Sequence, residues 1–209
     1  MSAAGPSGEA ACAAVADGLA GPGWAVVNAF LPPETVAALA AGLADRDAAG
    51  GLKPAATGAG ANRAVRPEIR GDRIAWLDGA ATDAERRALG ALETLRTVLN
   101  RELVLGLDEL ECHYASYAPG AHYARHLDRS PAGAERVVSA ILYLNPDWDA
   151  ADGGELRLYV PGAPVDVLPH GGTLVAFLSE RFEHEVRASA RVRLSLTGWF
   201  RRRPFAGVR

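Results

Sequence analysis

Near residue 107 the apolar residues of this chain change their spacing, and that change restricts the possible folds more than any other feature. Before it, apolar side chains recur every three or four residues. Val36, Leu39 and Leu43 fall on one face of a segment opened by Pro33 and Glu34, and Leu89, Leu92, Leu95, Val98 and Leu99 share one face of a segment running to about Leu103. Both spacings predict amphipathic helices. Thr82 with Glu85 three residues on is a capping box, which starts the longer helix by satisfying N–H groups that have no partner inside it. A shorter Ala-rich helix is predicted from about Glu9 to Leu19, after a frayed tail over Met1 to Gly8, and it closes at Gly21-Pro22-Gly23. Strands are predicted at Trp24 to Phe30 and Ile74 to Leu77. The stretch from Ala48 to Val65 is rich in Gly and Ala and has no period, so a mobile loop is expected there.

After Leu107 the period is two, interrupted by Gly, Pro, Asn and Asp. Eight strands are predicted: Glu111 to Tyr117, His122 to His126, Arg136 to Leu144, Glu155 to Val160, Val165 to Leu168, Thr173 to Leu178, Glu183 to Arg187 and Val192 to Arg201. Eight short strands after a helical half imply an α+β fold, a double-sheet jelly-roll barrel with the helices packed on one sheet to hide its outer face. With 209 residues, 49% of them hydrophobic, the chain has material for one domain, residues 1–106 forming helical support and loop and 107–201 the barrel core. No stretch approaches the roughly 18 apolar residues of a membrane span, and the first residues carry Glu9 and Asp17 in place of a basic segment. A cytoplasmic protein with no membrane partner is expected. Cys12 and Cys112 stand a hundred positions apart, which suggests neither a disulfide framework nor a thiolate zinc site, and Cys112 reads as core. A formal charge of −3 and a single lysine, Lys53, argue against nucleic-acid binding.

The chemistry begins at His126-Leu127-Asp128. Residues two apart in a strand point to one side, so an imidazole and a carboxylate are offered together to one metal. By itself this is equally a His–Asp hydrogen bond at a strand end. His184, in a later strand, would complete a facial set of two His and one carboxylate, which suits non-haem Fe(II). In the last strand Arg193, Ser195, Thr197 and Trp199 share one face. A guanidinium bound for the barrel interior needs an anion, either a protein acid or a dicarboxylate ligand. Tyr143 shares a face with Ile141 and Ser139 and could add its hydroxyl to that ligand. His113, His122 and His170 have no partner motif and read as surface or sheet residues.

Several segments together resemble the Fe(II)- and 2-oxoglutarate-dependent prolyl hydroxylases, specifically the group of the oxygen-sensing enzymes and their bacterial relatives. They are Ile69-Arg70-Gly71-Asp72-Arg73-Ile74-Ala75-Trp76, Tyr117-Ala118-Pro119-Gly120, Tyr123-Ala124-Arg125-His126-Leu127-Asp128, Tyr143-Leu144-Asn145-Pro146-Asp147-Trp148-Asp149, Gly153-Gly154-Glu155-Leu156-Arg157 and His184-Glu185-Val186 through Arg193, Thr197 and Trp199. The resemblance covers about residues 69 to 201. It implies a double-stranded β-helix in which His126, Asp128 and His184 hold iron and Arg193 pairs with the distal carboxylate of 2-oxoglutarate, supported by Tyr143 and Thr197. Tyr117 would hydrogen-bond near the co-substrate, and Tyr123, Arg136 and Trp199 would line a substrate proline. O2 is the second co-substrate, succinate and CO2 the co-products, and ascorbate a reductant. For bacterial members the resemblance points to a prolyl residue of elongation factor Tu as the substrate to test.

Strict alternation opposes Arg136 to Tyr143 and Tyr123 to His126, so each requires a bulge or bend to face the site. Three readings stay open: a protein prolyl hydroxylase, a 2-oxoglutarate oxygenase of a free amino acid or other small molecule, and a catalytically silent barrel that binds a metal or ligand. The Arg201-Arg202-Arg203 end could meet an acidic partner or stand as a solvated strand end.

Overall fold

The computed structural model describes residues 8–58, 63–128 and 135–202. The tail expected before Gly8, the centre of the Gly-rich loop at 59–62, and Arg203 lie outside the described residues. In chain order the elements are α1 (Gly8–Ala20), β1 (Trp24–Val27), α2 (Pro33–Ala48), β2 (Lys53–Pro54), β3 (Asp72–Trp76) and α3 (Asp83–Leu103), followed by β4 (Glu109–Tyr117), β5 (Tyr123–His126), β6 (Glu135–Tyr143), β7 (Leu156–Leu158), β8 (Val165–Val167), β9 (Leu174–Leu178), β10 (His184–Val186) and β11 (Arg193–Arg202). A seven-stranded sheet runs β1-β9-β6-β11-β4-β3-β2 and a four-stranded sheet β5-β10-β7-β8, every pairing antiparallel. This is the double-stranded β-helix. All eight strands expected after Leu107 form, each within a few residues of its expected ends. No helix among the described residues is long and apolar enough to cross a membrane.

The large sheet is buried on both faces, which is why β9 reads Leu-Val-Ala-Phe-Leu without a polar break. One face carries Cys112, Tyr114, Leu142, Ala176, Leu196 and Phe200 and packs under the three helices, against Val15, Leu39, Leu43, Leu92, Leu95 and Leu99. Each fully buried leucine there is worth about 2 kcal/mol. The other face carries Ala115, Tyr117, Ile141, Tyr143, Val175 and Phe177 and meets Leu156, Leu158 and Val186 of the small sheet. The functional site opens within this second layer.

Two local expectations need correction. The first strand stops at Val27, three residues early, because Ala29 turns into the left-handed region (φ 52°) and Phe30 donates its N–H to Gly172 instead. The stretch from Ala48 to Val65 is not without structure: Lys53 and Pro54 pair with Ile74 and Arg73 at the sheet edge, and Thr57 bridges Ala64. A two-residue exposed strand and a single bridge are too short to leave a period of two to read.

The capping box of α3 forms as expected and does more than cap. Glu85 accepts from the N–H of Ala81 (2.7 Å) and Thr82 (3.1 Å), from Arg46 Nη2 on α2 (2.7 Å) and from the Tyr114 hydroxyl on β4 (3.2 Å). One carboxylate thereby ties two helices to the sheet, and these partners hold its pKa below the usual carboxylate value although burial opposes them. Glu85→Ala is expected to cost about 2–4 kcal/mol, from the lost cap and the buried N–H groups left unpaired. Urea unfolding of the two proteins measures this, and an unchanged midpoint would refute the linking role.

Candidate active site

His126 ends β5 and His184 opens β10, and the register sets them directly opposite one another, ring centroids 4.2 Å apart. The chain leaves β5 after His126, so strand alternation does not place Asp128. Ser139 Oγ on the large sheet does so, donating to Asp128 Oδ2 at 2.7 Å while also bonding Ser179 Oγ at 2.9 Å. The carboxylate then lies 3.6 Å from Nε2 of each histidine. Nitrogen and oxygen ligand atoms of all three residues fall within 4.8 Å of one another.

The protonation states suit a cation. His126 Nδ1 donates to the Ala124 carbonyl (2.8 Å) and His184 Nδ1 to the Phe182 carbonyl (3.3 Å), which turns each Nε2 toward Asp128. Burial pushes His184 down to about 4 against the raising influence of Asp128, and the ring is neutral near pH 7. Burial alone would raise Asp128, but the two imidazoles outweigh it and hold the carboxyl ionised, below its usual range. Two imidazoles and one carboxylate are the donor set that Fe(II) accepts with positions to spare.

The anion test gives an equally definite geometry. Arg193 is 1% exposed, and its Nε donates to the Gly154 carbonyl at 2.8 Å, while Nη2 has no partner among the described residues. No carboxylate pairs with it there, so the protein-acid alternative fails among the described residues. The rings of Tyr117 and Tyr143 flank the guanidinium at 5.3 and 5.0 Å, and the buried Tyr143 hydroxyl is likewise unpartnered. Burial raises both phenols, so both stay protonated and able to donate. Gly154 is required at its position: its φ is +74°, and a Cβ would stand 2.9 Å from Ser189 Cβ and 3.3 Å from Arg193 Cδ. A buried, unpaired guanidinium beside an unpaired phenol is a site for a carboxylate.

One cavity joins the two features; Tyr117, Tyr123, Thr197 and Trp199 also line it, whereas Tyr143 does not. Both bulges that alternation demands are present. On β5 the register slips between His126 and Tyr123, and Tyr123 stacks on the His126 ring at 3.6 Å. On β6 the slip falls at Val137, and Arg136 lies 3.6 Å over Trp199 and bonds Glu111 at 2.6 Å, just outside the cavity. Three lining residues escaped the sequence reading. Arg70 and Asp72 form a two-bond ion pair (2.7 and 2.9 Å) with Arg70 over Tyr123. Arg70 precedes β3 and Asp72 opens it, and their i, i+2 spacing could have signalled the pair. His113, read as a surface or sheet residue, is fully buried in the cavity wall. No motif marks it.

Comparison with known proteins agrees with this geometry. The profile of the 2OG-Fe(II) oxygenase superfamily matches residues 112–201. A prolyl-4-hydroxylase from Pseudomonas putida superposes with a TM-score of 0.84 and 48% identity, over 92% of this chain and 99% of that one. A Trichoplax adhaerens prolyl hydroxylase, solved with a peptide of the oxygen degradation domain of hypoxia inducible factor, gives 0.82 and 27% over 92% and 90%. Egl nine homolog 1 of Rattus norvegicus is 33% identical over 144 residues, which is 64% of this chain and 42% of that protein's length.

Proposed function

Because the chain belongs to the 2OG-Fe(II) oxygenase superfamily and, within it, to the prolyl hydroxylases, we propose that it hydroxylates a prolyl residue of a protein substrate. Elongation factor Tu is the candidate substrate, ascorbate a supporting reductant and the cytoplasm the location. His126, His184 and Asp128 hold the metal, and Arg193 holds the distal carboxylate of 2-oxoglutarate with the hydroxyl of Tyr143, Tyr117 lying alongside; Thr197, four residues on in β11 and opposite His113, sits too far along the strand to share that carboxylate. When bound, the iron would let O2 oxidise 2-oxoglutarate and substrate together, one oxygen atom going to succinate as CO2 is lost and the other to the hydroxylated C–H bond. Tyr123, Trp199 and Arg136 enclose the substrate proline, orient it and keep water out.

The observation that carries this reading is the charge balance of the cavity. Arg70 is paired with Asp72, and Asp128 is committed to the metal, so among the described lining residues Arg193 is the one permanent cation without an opposite charge. That leaves one anion subsite, and the co-substrate takes it. A free amino acid would bring an ammonium and a carboxylate of its own, with no unpaired group left to meet them. A residue within a peptide brings neither.

Mass spectrometry tests the proposal. Elongation factor Tu incubated with protein, Fe(II), 2-oxoglutarate and O2 is expected to gain one oxygen on a proline, with succinate formed in step. Oxidation of a free metabolite alone would refute a peptide substrate, and uptake of no oxygen by any protein or metabolite would favour the silent binding barrel.

A further inference from the structure

His113 lies on β4, on the face that also carries Ala115 and Tyr117, and lines the cavity. The β4–β11 register sets Tyr117 opposite Arg193 and His113 opposite Thr197, so four residues of strand, about 13 Å, separate His113 from the anion subsite. The imidazole is held between two indoles: Trp76, partly exposed, at 4.9 Å, and Trp199 at 5.3 Å with the ring planes 18° apart. Its ring is fully buried, yet neither Nδ1 nor Nε2 has a hydrogen-bond partner among the described residues. Burying two polar nitrogens unpaired is costly, and a folded protein keeps such a group where a ligand will satisfy it.

We infer that His113 is a substrate-positioning residue that hydrogen-bonds a backbone amide of the bound peptide, at the end of the cavity opposite Arg193. The inference rests on the reading of a peptide-bonded prolyl substrate. Burial, joined by the charges of Arg70 and Arg136, pushes the imidazole down to about 3, so the ring meets its ligand uncharged, with one N–H donor and one acceptor nitrogen. Peptide units present the complement, a carbonyl that accepts and an N–H that donates. A free amino acid presents an ammonium and a carboxylate, for which an uncharged ring is no counterion. The stacked Trp199 indole, with Trp76 tilted at 50° against the same ring, fixes the plane of the imidazole, so the direction of its hydrogen bonds is set before substrate arrives.

The test uses protein loaded with Zn(II) in place of iron and with 2-oxoglutarate, its histidines carrying ¹⁵N in the ring. The probe is N-acetyl-L-proline methylamide, the smallest uncharged prolyl unit. His113 resonances, identified by their loss in His113→Gln, are expected to shift saturably with the probe and much less with free L-proline. His113→Phe keeps the stacking and loses the nitrogens, and should bind the probe about tenfold more weakly. His113→Gln keeps a donor and an acceptor, and should stay within about threefold. Affinity for 2-oxoglutarate should not change in either. A ring unmoved at saturating probe, or a His113→Phe protein that binds the probe like the parent, overturns the inference and leaves the peptide reading standing. Tighter binding of free L-proline than of the methylamide overturns both.

Discussion

Asp128→Ala is expected to lower iron-dependent turnover by at least ~10³-fold while the chain stays folded. The loss is large because this carboxylate is the one anionic donor of the three-residue set, and without it two imidazoles face the cation alone. The fold should survive because little else depends on the carboxylate. Ser139 Oγ, its hydrogen-bond donor, keeps Ser179 Oγ as a partner, and the two histidines keep their bonds to the carbonyls of Ala124 and Phe182. Removing Asp128 also removes a buried charge that needs its neighbours to be tolerable. Anaerobic titration with Fe(II) and then 2-oxoglutarate, followed by the visible charge-transfer absorption of the chelate, reads metal assembly without any substrate. Thermal unfolding of the same samples reads the fold. His126→Ala should behave alike, and retention of the band and of turnover in both variants would break the metal assignment.

Arg193→Met is expected to weaken 2-oxoglutarate about a hundredfold and to leave the ligand-free protein about as stable as before. The first effect follows from losing a buried, charge-assisted contact to a carboxylate, worth about 1.5–3 kcal/mol. The second follows from what the empty site costs: the guanidinium is buried with Nη2 unpartnered, so an apolar side chain of similar length gives up the Gly154 bond and the flanking phenol contacts but no longer buries a charge. In the parent, 2-oxoglutarate at a hundred times its dissociation constant should stabilise the metal-loaded fold by about 2.7 kcal/mol, and in the variant by well under 1 kcal/mol. Equal stabilisation of both proteins would show that the co-substrate carboxylate binds elsewhere.

Much of this site could be read along the chain because its parts obey strand periodicity. Arg193, Ser195, Thr197 and Trp199 do share one face of β11, and Tyr143 joins them across β6. The two histidines were harder. Their partnership depends on β5 pairing with β10, strands nearly sixty residues apart, so residue type could nominate His184 as the third ligand and the resemblance could support it, but no local spacing linked the two. His113 lies at the other limit. Its parity places it with Ala115 and Tyr117, but a strand buried on both faces shows no polar side, so nothing along β4 says which face looks into the cavity.

The sequence by itself determined the local elements and the faces within them: the helices from their period and the Thr82–Glu85 box, the barrel strands from alternation, and the chemical types of the metal and anion groups. Those properties depend on residues within a few positions of one another. Only the tertiary structure decided the rest. Ser139 reaching across from the other sheet fixes Asp128, a bulge at Tyr123 turns that ring into the cavity, a bulge at Val137 lays Arg136 over Trp199 just outside it, and two indoles from β3 and β11 enclose His113. Each of these depends on contacts between strands distant in sequence, and a single inserted residue reverses the face that a side chain presents.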